Sequence, residues 1–553
     1  MGNTHSIVGS EVITAASALE NEARTLQDML EPYSVHGSLY ETRFGPNDAL
    51  IYRMQGTLQG AYHTYAIWPA VGEGLIMIQR LMFAKYGDIT IPFCQTNLML
   101  TLYIDDSSIP ESLTKTAALV SSLVAQCAYC SSTLCGLGDA FNGHIAITKP
   151  INLDTSQVSD NDRHLLRLSV ASTKLPARVT SQMRSDVINV FGAGSVEKIA
   201  LALAFGAYSN TLNVILGAEL DEHFSKRAET GFKNFPGFRF GPHKFKSRAF
   251  KPLISRYVNA SPLVFVNLFF QWRQSEKMLE ESLTGSPTSD AELNDMIRSL
   301  FGFLPRYLAK ISNGISKRRL TTMLRRLIFW DDNAPELSLS TQPVVAILSL
   351  KDRLVLSFVY MMAASNGLLA AHFGYTAARH GVKPSELEYA WATATNFSTE
   401  FLERITDPLD FMILLTYAVA RRLHKRTYAM SPSLFNICGG NPATTMCLTG
   451  LLSTLACIHR FSVIVDDCFG FEREVAVFAA STSYGIANVL GSLPSASNSN
   501  NFDPSAEELE MFWYEASEGV EKEKHVRSNL ESVIGSHDPT FGGSGVWGGR
   551  VQY

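Results

Sequence analysis

The chain has 553 residues, 46% hydrophobic and 18% charged, with a formal net charge of -5. That length allows two to four domains, and the apolar fraction implies large buried cores rather than disorder. The slightly acidic balance gives nucleic acid no electrostatic footing as the main partner. Eight cysteines in so long a chain are not a disulfide framework, and no basic-then-apolar leader is visible, so a reducing, cytoplasmic setting is expected.

In chain order, residues 1–39 form an N-terminal segment that opens "MGNTHS". With Met1 removed, Gly2 becomes the terminus and Ser6 falls where the N-myristoylation pattern wants a hydroxyl. A chance match is the alternative, because Gly after Met is common. One acyl chain holds a membrane only marginally, so attachment through Gly2 would be reversible. Residues 40–220 make a first helical unit, with "ESLTKTAALVSSLVAQC" and "SVEKIALALAFGAYSNTLNVIL" as its longest apolar runs. Residues 221–259 interleave Lys/Arg with Phe and read as a connector whose rings dock on the core, not as a nucleic-acid surface. Residues 260–490 make a second helical unit, carrying "DRLVLSFVYMMAASNGLLAAHF" and "MCLTGLLSTLACIHRFSVIV". Residues 491–553 are a tail rich first in Ser and Asn, then in Gly.

These Ala/Leu-rich runs exceed strand length, and alternating strand patterns are scarce, so the fold class is all-α with helices apolar on most faces. No membrane span is expected. The longest uncharged apolar run, Ile199–Ala218, carries Ser209, Asn210, Thr211 and Asn213 in its middle, as a core helix does. Asp466 and Asp467 close the last apolar helix and read as its solvated end, with cation binding as the alternative.

The chemistry-bearing stretch is "QCAYCSSTLC", Gln126–Cys135. Cys127 and Cys130 at i and i+3 share a helix face, close enough for a disulfide. The alternative is two small residues packed in a helical turn, since free cysteine packs as a small hydrophobe. With Cys135 and His144 they would supply four zinc ligands, but structural zinc sites pair two short clusters across a longer loop, so a metal is not expected. Cys447 and Cys457 lie in an apolar run and read as core.

The two units repeat each other. Without gaps, "CAYCSSTLCGLGDAFNG" over "SNGLLAAHFGYTAARHG" sets Cys127 on Ser365, Cys130 on Leu368, Leu134 on His372 and Gly143 on Gly381. Each stretch follows an apolar helix that starts near a cation, Lys115 or Arg353. Each precedes a further long helix, containing "GAYSNTLNVILG" in the first unit and "ACIHRFSVIVDD" in the second. A duplicated helical domain accounts for this order.

The stretch "LSLKDRLVLSFVYMMAASNGLLAAHFGYTAARHGVKPSELEYA" resembles the core of the carboxymuconolactone decarboxylase and alkylhydroperoxidase D (AhpD-like) superfamily. Ser385 is expected to cap the helix that closes it. The resemblance implies two tandem AhpD-like helical domains forming an internal pseudo-dimer, and a tendency to homo-oligomers. In the peroxidase branch, the second cysteine of a C-x-x-C attacks the peroxide as thiolate and the first resolves it, with a His and a Glu relaying the proton. Here the first copy keeps Cys127 and Cys130 but has Leu134 for the His and Lys115 near the Glu position. The second keeps His372 but replaces both cysteines. Tyr129 and His144 are the other nearby proton-relay candidates.

The resemblance implies a thiol-dependent peroxidase or disulfide oxidoreductase, served by a dithiol electron-donor protein and requiring no metal or organic cofactor. The alternative is a catalytically degenerate scaffold or stress-signalling protein, reversibly membrane-tethered; sestrins offer an analogy, with "QCAY" similar to their cysteine motif. Decarboxylase-like chemistry at His372 is a further alternative.

Overall fold

A computed structural model describes residues 25–30, 109, 111–132, 134, 159–218, 287–329, 348–395, 405 and 407–466. The expectations on Gly2, Cys135, His144, Asp467, the 221–259 connector and the tail lie outside these residues. The described residues are all-α, with no strand among them. Before the connector lie α1 (Leu26–Leu30), α2 (Glu111–Val124), α3 (Asp160–Thr173), α4 (Ser181–Phe191) and α5 (Ser195–Leu216). After it come α6 (Asp290–Phe301), α7 (Arg306–Ala309), α8 (Gly314–Leu327), α9 (Leu350–Ala363) and α10 (Gly367–Arg379). The last four are α11 (Pro384–Thr395), α12 (Pro408–Ala420), α13 (His424–Ile437) and α14 (Pro442–Val465).

Local sequence sets the helix starts. Ser289 with Glu292 and Ser349 with Asp352 form capping boxes at α6 and α9. Asn441 caps α14 ahead of Pro442, which sits where its missing N–H costs nothing. At α11 the expectation is corrected. The helix starts at Pro384, so Ser385 lies inside its first turn; the Glu386 carboxylate instead accepts the Lys383 N–H at 2.5 Å.

The two longest helices, α5 and α14, form the most extensive helix–helix contact. Both are long and apolar enough to cross a membrane, but 78% and 94% of their apolar windows are buried within the protein. Leu455, Ile458, Phe461 and Ile464 on α14 are wholly buried; each such side chain contributes about 1.5–3 kcal/mol by leaving water. The hydroxyls of Thr445, Thr449 and Ser453 on the same helix bond carbonyls one turn back at 2.8–2.9 Å, which satisfies them in the core. Gly217 ends α5 at φ +65°, and an added Cβ there would meet Thr25 Cβ at 2.9 Å, so glycine lets α1 dock.

One turn occurs three times. After α2, α9 and α12 the chain passes through a left-handed residue that is not glycine: Gln126, Ser365 and Arg422, with φ between 55° and 57°. Each turn closes with the same 6→1 backbone bond, from Cys127 N–H to Ser122 O, Asn366 N–H to Met361 O and Leu423 N–H to Ala418 O. Laying the Gln126 turn on the Ser365 turn would set Cys127 on Asn366, one residue from the gapless sequence alignment, and laying it on the Arg422 turn would set Cys127 on Leu423.

The end of α14 also differs from expectation. The Asp466 side chain is 4% exposed and pairs with Lys310 at 2.9 Å and Arg306 at 3.4 Å. Arg184 donates to the Asp466 carbonyl at 3.2 Å. Cations thus cover this helix C-terminus, where the macrodipole favours them, so Asp466 is a buried carboxylate held by half-exposed cations and not a solvated end.

Candidate functional site

The turn after α2 delivers Cys127 to the first position of a new helical turn. Its Sγ accepts the Cys130 N–H at 3.4 Å. At the matching place Asn366 Oδ1 accepts the Leu369 N–H at 3.1 Å and caps α10. The C-x-x-C spacing is therefore the spacing of a helix cap and its third residue. Cys127 and Cys130 are 1% and 7% exposed and form a small cluster with Ala128, Tyr129, Val214 and Ala218, against which Tyr428 packs. Both thiols are free. Burial first, and then the neighbouring Cys130 sulfur, push the Cys127 thiol well above its ordinary value. Asn213 Nδ2 donates to Cys130 Sγ at 3.1 Å. Among the described residues neither sulfur bonds to a histidine or a carboxylate.

His372 lies elsewhere. It is buried on α10, edge-on to Phe303 at 4.7 Å and stacked on Tyr307 at 6.1 Å between ring centroids. Tyr129 is buried in the cysteine cluster. Cys457 is wholly buried and Cys447 partly so, their thiols pushed up by burial, Cys447 to about 12, in keeping with core roles. No group of three or more His, Cys, Asp or Glu side chains suited to a metal occurs among the described residues.

Beside the cysteine cluster, and sharing Val214 with it, is a cavity of about 40 Å³. At about 10–15 Å³ per water this holds some three waters. Its walls come from both sides of residues 221–259: Asn210 and Thr211 from α5, Tyr360 from α9, Arg422 from the α12–α13 turn, His424 from the start of α13, His459 and Arg460 from α14. Arg460 is 3% exposed and reaches α2 and α3, donating to Ser121 Oγ at 2.9 Å and to Thr173 Oγ1. Arg422, held by its left-handed backbone, donates to the carbonyls of Thr173 and of Val124. Burial pushes the Arg422 guanidinium down to about 10. It pushes Arg460 well below the usual range, and the Arg422 charge adds to this. No carboxylate lines the cavity among the described residues.

His459 is fixed in one tautomer. Asn366 Oδ1 is committed to the Leu369 N–H, so its Nδ2 must donate to His459 Nδ1 at 3.1 Å, which leaves the proton on Nε2. Burial, then Arg460 and Arg422, hold this imidazole neutral, with its pKa down to about 3.

Sequence reasoning missed this set. Its members lie in four separate stretches, and one local signal was present: His459–Arg460, two polar residues amid the 24-residue apolar α14. Comparison of the chain with protein-family models, with curated proteins and with solved structures gives no match.

Proposed function

We propose that this chain is a binding scaffold of AhpD-like descent, two helical halves paired as an internal pseudo-dimer, in which the C-x-x-C serves as a helix cap. The observation that carries the reading is the setting of the thiols. Both are buried, and among the described residues no acid–base partner bonds to either. A peroxidatic thiol needs the opposite, a partly exposed site that favours the thiolate. The pseudo-dimer reading is supported by the shared turn and by one bond in each direction between the proposed halves. Arg460 of α14 bonds Ser121 of α2, and Thr211 of α5 bonds Tyr360 of α9. Ser121 and Tyr360 each lie five residues before a left-handed turn residue, Gln126 and Ser365.

One observation favours a second reading, a thiol–disulfide couple: the two sulfurs are hydrogen-bond neighbours, and Asn213 donates to Cys130. In that chemistry the Cys130 thiolate attacks a peroxide oxygen, the O–O bond breaks and the alcohol leaves. Cys127 then displaces water from the sulfenic acid to form the disulfide, and a dithiol donor returns two electrons. Mass spectrometry of Cys127 and Cys130 after peroxide, with and without a dithiol, separates the readings. The scaffold predicts no reversible Cys127–Cys130 disulfide and no thiol-dependent peroxide turnover. A disulfide that forms and reverses with turnover would establish the couple instead.

A further inference from the structure

We infer that the cavity between α5, α9 and α14 binds the carboxylate of a small organic acid. Buried charges are normally paired and buried donors normally satisfied. This cavity breaks both rules in one sense. Two guanidinium groups meet there with no carboxylate among the described residues to neutralise them. Three buried nitrogens of lining residues have no hydrogen-bond partner among the described residues: Arg460 Nε, His459 Nε2 and Asn210 Nδ2.

All three are donors. His459 Nε2 carries the proton because Nδ1 accepts from Asn366. Asn210 must present its NH₂ group, because its Oδ1 already accepts from Ser122 at 2.9 Å. Arg460, His459 and Asn210 are 3–4% exposed, so bulk water does not satisfy them. Arg422 and His424 are half-buried and form the accessible side, at the α12–α13 turn.

A group that only accepts hydrogen bonds and carries negative charge satisfies every unmet requirement together. Planar guanidinium groups pair bidentately with carboxylate and with phosphate alike; of the two the carboxylate head is the smaller, in keeping with room for about three waters. The remainder of the acid leaves through the half-buried mouth. This assignment stands whether or not the cysteine pair cycles.

The test uses the full chain and titrates sodium acetate, inorganic phosphate and sodium chloride separately at constant ionic strength, following thermal unfolding and heat of binding. Acetate should raise the melting temperature in a saturable, single-site manner. Arg460→Met should weaken acetate binding by about tenfold or more, the worth of a charged hydrogen bond. Arg422→Gln, at the half-buried mouth, carries the affinity test independently should Arg460→Met fail to fold. Wild type without a saturable response to acetate overturns the assignment. So does saturation by phosphate or chloride alone, or an acetate response unchanged in Arg422→Gln and Arg460→Met.

Discussion

Replacing Cys127 by alanine and by serine separates a cap from a redox centre. The sulfur does two physical things: it accepts the Cys130 N–H and it fills apolar space at 1% exposure. Alanine removes both. Losing a helix N-cap costs about 1 kcal/mol, and losing the buried thiol costs about another 1 kcal/mol of transfer free energy. Serine keeps an acceptor at the same place and loses only the second contribution. The alanine variant should therefore be less stable than the serine variant by about 1 kcal/mol. In a chain of this size the difference is on the order of 1–2 °C in melting temperature. Thermal unfolding of the two variants side by side, under reducing conditions, reads it directly. If both melt at the same temperature, the Sγ–Cys130 bond contributes nothing and the cap explanation of the C-x-x-C spacing fails.

Two further outcomes follow from buried charge. His459 is neutral in the folded protein with its pKa held near 3, whereas in the unfolded chain it takes up a proton near 6.5. A depressed folded value means that the unfolded state binds more protons below pH 6.5. Stability is thus intact above that pH and falls as the pH drops toward 3, by up to about 1.4 kcal/mol per pH unit from this residue. Denaturation midpoints between pH 7.5 and 5 should slope downward toward acid, and His459→Gln should flatten the slope; an unchanged slope would exclude His459 as its source. Asp466→Ala strands Lys310 and Arg306, but both are about half exposed and rehydrate. The loss should therefore lie below the usual cost of breaking a buried pair, at about 2 kcal/mol. A thermal-unfolding loss under about 0.5 kcal/mol would mark the cluster as no more than a surface pair.

The helical class was legible because it rests on a local fact: Ala- and Leu-rich apolar runs too long for strands. The three turns were not, because the residues at their left-handed positions carry no turn signature. A left-handed position ordinarily advertises itself as glycine, and here it is filled by Gln126, Ser365 and Arg422. The fate of Asp466 was illegible for a different reason. An acid at the end of an apolar helix reads as solvated, and Arg306 and Lys310, some 150 residues earlier, are what allow its burial.

On the proposed pseudo-two-fold arrangement, a duplicated chain can do what a homodimer cannot. The later helices of the two units are then α5 and α14, and setting "GAYSN" over "ACIHR" places Asn210 against Arg460. Both line the same cavity. In a symmetric dimer the same position would be filled twice by the same residue. Two copies of Arg460 would add a third buried cation beside Arg422, and like charges in a low-dielectric interior repel strongly. Two copies of Asn210 would leave Arg422 as the one guanidinium of the lining. A tandem chain can hold one of each, with His459 kept neutral by burial and by the two guanidinium groups. On that reading, the sequence difference between the halves is the condition under which their junction can become a single, one-sided binding site.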